Sequence, residues 1–336
     1  MDNDRSSRQL TLFARMALAT TIATYTLILV GALVRAAGAG LGCPDWPRCF
    51  GQWIPPLQAS QLPPGFDPAQ FNAALTWLEY TNRLLGVTIG LLIVATLFMA
   101  WRWHRRRPRL FWPSLAATLL VAYQGWLGGQ VVRSGLEPWM ITAHMVLALV
   151  IVTLLLYATW HARLQAAGYP RSTDPDRARL RRWIAVTFVV VLLQIGLGTQ
   201  VRAAMEHAVD LDPDLPRAEW IDHVGWLDPF HKSFSWAPLL LTFGLRVYAR
   251  RRFRGDRGLV RAADASFALV IFQILIGTSL VYTGMPAASQ VVHLSGASLL
   301  VGTLTLLALQ TQREPVVREW TAPATGHPAA PDPSGA

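Results

Sequence analysis

Histidine stands at three of four equivalent positions in this chain, with asparagine at the fourth. Shifting the sequence by 149 residues against itself, without a gap, superposes Glu79 on Asp228, Asn82 on His231, Arg83 on Lys232 and Gln124 on Gln273. The same shift brings Gly128 onto Gly277, Arg133 onto Tyr282 and His144 onto His293. Self-similarity of this kind marks an internal duplication. Imidazole is a usual axial ligand of haem iron. His231 and His293 lie on the two even-numbered apolar segments of one repeat, and facing helices of a four-helix bundle direct such side chains into a shared core. A single histidine in an apolar segment reads as a hydrogen-bonded structural residue, but recurrence at equivalent sites favours a ligand pair. Zinc or di-iron would need more histidines or carboxylates in the same core. The residues therefore predict bis-histidine haem in the C-terminal half.

The N-terminal half offers Asn82 and His144 instead. Asparagine is a poor iron ligand, so a haem there would be five-coordinate or weakly held, as a substrate requires. Glu79 is three residues before Asn82 and shares its helical face. A carboxylate there suits a base or a stabiliser of developing positive charge; the competing reading is an ion pair with Arg83 or Arg35. Three arginines recur in Gly31-Ala-Leu-Val-Arg35, Gly129-Gln-Val-Val-Arg133 and Gly198-Thr-Gln-Val-Arg202. Guanidinium groups at repeated positions fit an anionic ligand, and snorkelling to lipid headgroups fits equally. His104, His161, His207, His223 and His327 border connections or lie in the tail and read as ordinary.

Long apolar segments must position these residues. The chain is 52% hydrophobic and 15% charged over 336 residues, less charge than a soluble chain carries. Apolar stretches recur near 11–34, 75–101, 110–132, 139–160, 183–201, 229–249, 262–283 and 289–311. Each approaches the ~20 residues that cross a bilayer. The first is too long for a signal-peptide core and lacks a cleavage site, so it reads as a retained span. The expected fold is an all-α integral membrane protein of eight transmembrane helices, arranged as two pseudo-symmetric four-helix bundles. An even number of spans per repeat gives a parallel duplication. The segments divide into a tail at 1–10, an N-terminal bundle at 11–168, a C-terminal bundle at 169–312 and a disordered Pro/Ala/Gly-rich tail at 313–336.

Of the 30 Lys+Arg, 23 lie in alternate connections and the two tails, while the other connections are acidic. The positive-inside rule then puts both termini in the cytoplasm of a bacterial inner membrane. The net charge of +10 is a topology signal and excludes a nucleic-acid partner, since no folded basic module carries it. Cys43 and Cys49 both fall in the first outer connection. Oxidising conditions there favour a disulfide; a zinc site lacks converging ligands, and no Cys-x-x-Cys-His string supports covalent haem.

Gly-Ala-Gly-Leu-Gly-Cys-Pro-Asp-Trp-Pro-Arg-Cys at 38–49, Glu79-Tyr-Thr-Asn-Arg83, Ala143-His144-Met, His231-Lys and Val292-His293-Leu-Ser-Gly-Ala resemble the haem A synthase (COX15/CtaA) family. The resemblance spans about residues 12–312 and implies eight helices in two bundles and oxidation of the C8 methyl of haem O to the formyl of haem A. It implies haem b on His231 and His293, haem O as substrate beside His144, Glu79 as the catalytic carboxylate and a Cys43–Cys49 disulfide. The family's usual pattern has histidine where this chain has Asn82, so His144 alone would position the substrate iron. Candidate partners are haem O synthase, cytochrome oxidase assembly proteins and membrane lipid, with a homo-oligomer left open. The alternatives are a b-type cytochrome electron carrier and a catalytically degenerate haem-binding oxidase assembly factor.

Overall fold

A computed structural model describes residues 2–168 and 172–313; most of the expected disordered tail, with His327, lies outside the described residues. The described chain is helical: α1 Asp2–Ala36, α2 Ala73–His104, α3 Pro108–Arg133, α4 Pro138–Ala166, α5 Pro175–Leu211, α6 Leu227–Phe234, α7 Trp236–Arg252, α8 Arg257–Tyr282 and α9 Ala287–Gln310. Proline opens α3, α4 and α5, where its missing N–H costs nothing and its fixed φ suits the first turn. Asn72 caps α2 by accepting from the Leu75 N–H, and Asp256 caps α8 by accepting from the Leu259 N–H.

Among the described residues, seven helices are long and apolar enough to cross a membrane: α1, α2, α3, α4, α5, α8 and α9. The span expected at 229–249 is instead divided between α6 and α7. Ser235 between them keeps helical dihedrals, φ −60° and ψ −20°, so the path is nearly continuous. The interruption has a local cause. Pro238 lacks the N–H that would bond to the Phe234 carbonyl, and its ring crowds the preceding turn.

In the N-terminal half, α2 and α4 each pack on both α1 and α3, which places them on a diagonal. In the C-terminal half, α5 packs on α6, α7 and α9, while α8 packs on α7 and α9. The α6–α7 pair and α9 therefore form the second diagonal. The two halves meet where α9 packs on α1 and α4 and where α4 packs on α5. One contact there is very close: a Cβ on Gly302 of α9 would lie 2.0 Å from Oη of Tyr25 on α1. Only glycine admits that approach, as at many helix crossings in membranes.

Leucine, isoleucine and valine fill the centres of both halves, with Ile89, Ile93, Ile151 and Leu155 in one cluster and Leu180, Ile184, Leu245 and Leu304 in another. At the end of the N-terminal half away from the cysteines, Ala14, Ala17, Ala100, Ala158 and Ala162 let α1, α2 and α4 approach closely. His104 and His161, which the sequence places beside basic connections, are buried at that end, His104 edge-on to Phe13 and His161 against Tyr157. At the corresponding end of the other half, Arg177 donates to Asp256 at 2.8 Å with both side chains buried.

Candidate functional site

Asn82, His144, His231 and His293, the four equivalent positions, each lie against a glycine of a neighbouring helix. A Cβ on Gly128 of α3 would stand 3.3 Å from Cε1 of His144 on α4. The equivalent distance is 3.1 Å from Gly198 of α5 to His231 on α6, and 3.1 Å from Gly277 of α8 to His293 on α9. Gly31 of α1 faces Asn82 on α2, its Cβ position 3.9 Å from Oδ1. The four residues thus come in pairs from diagonal helices, Asn82 with His144 and His231 with His293. The Gly-x-x-Val-Arg comparison aligned Gly129 with Gly31 and Gly198, but the residue against the imidazole is Gly128. Gly129 instead lies under Trp46, 2.8 Å from its ring at the Cβ position.

A second recurring residue fixes two of the histidines. Gln124 donates through Nε2 to the backbone carbonyl of His144 at 2.9 Å, and Gln194 donates to that of His231 at 3.0 Å. Each glutamine lies four residues before its glycine, as Gln273 lies before Gly277, so the pair shares a helical face. Gln273 behaves differently: its amide packs over Gly296, where a Cβ would lie 2.1 Å from Nε2. The Gln124–Gln273 match was visible in the duplication, but its role was not, because a bond to backbone leaves no partner residue type to read.

Glu79 lies on α2 beneath the loop that joins α1 to α2, buried at 4% exposure. Its carboxylate accepts from the Cys43 N–H at 2.8 Å and from Nε and Nη2 of Arg83. Of the two ion-pair partners weighed from sequence, Arg83 is the one bound. Arg83 also donates to the carbonyls of Cys43, Asp45 and Arg48. Cys43 and Cys49 form a disulfide and are buried. Gly42 sits so close to α2 that a Cβ would meet the Leu75 carbonyl oxygen at 2.5 Å. Asp228 and Lys232, the duplicated counterparts of Glu79 and Arg83, also pair, at 2.6 Å, but Lys232 is half exposed and grips no loop.

The three repeated arginines part company. Arg35 and Arg202 converge on Glu206, through Nη2 to Oε2 at 2.9 Å and Nε to Oε1 at 2.8 Å. Arg202 also donates to Oε1 of Gln290 at 2.6 Å. A protein carboxylate from α5 thereby bridges the two halves, and Arg35 keeps Nη1 buried without a partner among the described residues. Arg133 is exposed and stands over the Trp46 ring at 5.9 Å. Glu206, Gln290 and Trp46 were not singled out from sequence. Glu206 reads there as one of many acids in its connection, and its partner Arg35 is 171 residues away.

The donor set fits a haem. Nδ1 of His144, His231 and His293, and Oδ1 of Asn82, are buried without hydrogen-bond partners among the described residues. No hydrogen bond from the described residues ties the rings down through these atoms, unlike a hydrogen-bonded structural histidine. Neutral imidazoles from opposite helices, each with a glycine at its edge, suit a flat macrocycle placed between them.

Comparison with known proteins finds similar chains over most of the length. A heme A synthase from Shewanella oneidensis is 28% identical over 314 residues, covering 85% of this chain and 92% of that protein. Others from Allorhizobium ampelinum and Alkalihalophilus pseudofirmus are 27% and 25% identical, covering 84% and 86% of this chain and 85% and 94% of theirs. The match to the COX15-CtaA family, described as cytochrome oxidase assembly protein, runs over residues 14–305. This chain belongs to the COX15-CtaA family.

Proposed function

We propose that this protein is a haem A synthase, which oxidises the C8 methyl of haem O to the formyl group of haem A. The observation that carries the reading is the asymmetry between the diagonals, two histidines in one half and Asn82 with His144 in the other. We assign residues 11–168 to a four-helix bundle that takes the substrate and residues 169–312 to a bundle that holds haem b, with the α6–α7 pair counting as one crossing. His231 and His293 would hold haem b. Haem b supplies one-electron redox chemistry there. The basic connections support cytoplasmic termini, with the Cys43–Cys49 loop on the outer face of the plasma membrane.

His144, steadied by Gln124, orients the substrate haem, and Asn82 leaves its opposite face less tightly held. Glu79 lies one turn from Asn82 on the same helix face. Three N–H groups hold its carboxylate in one orientation, which suits a positioned charge better than a mobile proton acceptor. That charge stabilises positive charge developing at the methyl carbon. Arg35 and Arg202 are the candidate propionate contacts, Arg35 through its unpaired Nη1, and exposed Arg133 is a third. In cells that make haem O, expression of this chain should yield haem A among the extracted haems. Asn82 favours one other reading, a haem-binding assembly factor without chemistry, for which the same cells would contain no haem A.

A further inference from the structure

A lateral groove of about 360 Å³ opens between α3 and α4, in the half of these helices nearest the Cys43–Cys49 loop. Its walls include Tyr123, Trp126, Leu127, Trp139, Ala143 and Leu147. The volume falls within the roughly 300–1,000 Å³ of ligand pockets. Leu127 and Ala143 are the chain neighbours of Gly128 and His144, so the inner wall of the groove is the backbone of the substrate site itself. The outer wall is aromatic, with the rings of Tyr123 and Trp126 5.2 Å apart and both exposed, as is Trp139.

The duplication argues that this groove serves the substrate half alone. A shift of 149 residues replaces Trp126 with Leu275, Trp139 with Ala288, Ala143 with Val292 and Leu147 with Gly296. Over Gly296 the protein lays its own Gln273 amide. In the substrate half the matching Gln124 turns instead to the His144 carbonyl, and the aromatic walls stay open.

We propose that this groove holds the hydroxyethylfarnesyl tail of haem O, an inference that rests on the haem A synthase reading. Haem O differs from haem b by that one long apolar substituent. The groove walls are continuous in the chain with Gly128 and His144, the residues that would orient the macrocycle. Flat indole and phenol faces suit a chain of trisubstituted alkenes, and burial of its carbons is favourable in proportion to area. The groove then selects substrate over resident cofactor by the tail, and the duplicated counterparts of its two indole walls are Leu275 and Ala288.

The test uses the purified full chain carrying its resident haem, titrated with haem O and with haem b. The wild-type protein should take up haem O at least ~10-fold more tightly than additional haem b. Leu147→Trp, which fills the groove, and Trp126→Ala, which removes its wall, should each abolish that preference and leave haem b uptake within about twofold. An unchanged spectrum of the resident haem certifies folding in both variants. Preference retained in both variants overturns the groove assignment, and so does an equal fall in haem O and haem b affinity. A wild-type protein without preference, whose groove variants instead slow quinol oxidation, assigns the groove to a quinol and overturns the proposal. Haem A production by wild-type cells, scored separately, tells failure of the groove from failure of the synthase reading.

Discussion

Arg83 holds Glu79 with two N–H groups while donating to three loop carbonyls, those of Cys43, Asp45 and Arg48. One guanidinium therefore ties the carboxylate of α2 to both ends of the disulfide-closed loop. Glu79→Gln keeps the shape and removes the charge. It should lower haem A formation about 100-fold with little change in the reactivity of the disulfide towards reductant. Arg83→Ala strands a buried carboxylate and three loop carbonyls. It should cost about 3–5 kcal/mol of local stability, read as faster reduction of Cys43–Cys49 together with lost product.

The diagonals predict separable haem losses. His231→Ala and His293→Ala should each deplete haem b in the purified protein, measured by pyridine haemochrome. His144→Ala should leave that haem in place and abolish product. Loss of haem b on His144→Ala would contradict the division between the two halves.

Glycines at the imidazole edges give a graded series. Gly198→Ala and Gly277→Ala put a methyl 3.1 Å from His231 and His293, so each ring must shift. Both should alter the resident haem spectrum, whereas Gly31→Ala, 3.9 Å from Asn82, should be nearly silent. Gln194→Leu removes the bond to the His231 carbonyl, worth about 0.5–1.5 kcal/mol, and should weaken haem b by about 2- to 10-fold.

The junction of the halves depends on Gly302. Gly302→Ala places a methyl on Oη of Tyr25 and should destabilise the protein by about 1–3 kcal/mol, seen as a lower unfolding midpoint in detergent. Tyr25→Ala in the same chain should restore part of the loss, because it removes the clashing ring.

Much of the candidate site's layout was legible because duplication repeats residue types at a fixed offset. Asn82, His144, His231 and His293 lie where that offset points, and the paired Cys43 and Cys49 carry their own signature. The break at Ser235 was less visible, since Pro238 sits in an otherwise apolar run of spanning length. The bridge from Arg35 to Glu206 was not legible at all. It joins residues from different halves, and no local periodicity encodes which carboxylate an arginine will meet across a helix interface. Trp46 was likewise hidden, because its contact is with Gly129, a residue whose lack of a side chain makes room without naming what fills it.

The central claim is that the half bearing Asn82 and His144 converts haem O to haem A. Chromatography of haems extracted from cells that express this chain with a haem O synthase tests it most directly. The account predicts haem A or its hydroxylated intermediate with the wild-type chain, and its loss with His144→Ala while haem b remains bound to the protein. Haem O and haem b alone from the wild-type chain, with the protein present in the membrane and carrying haem b, would contradict it.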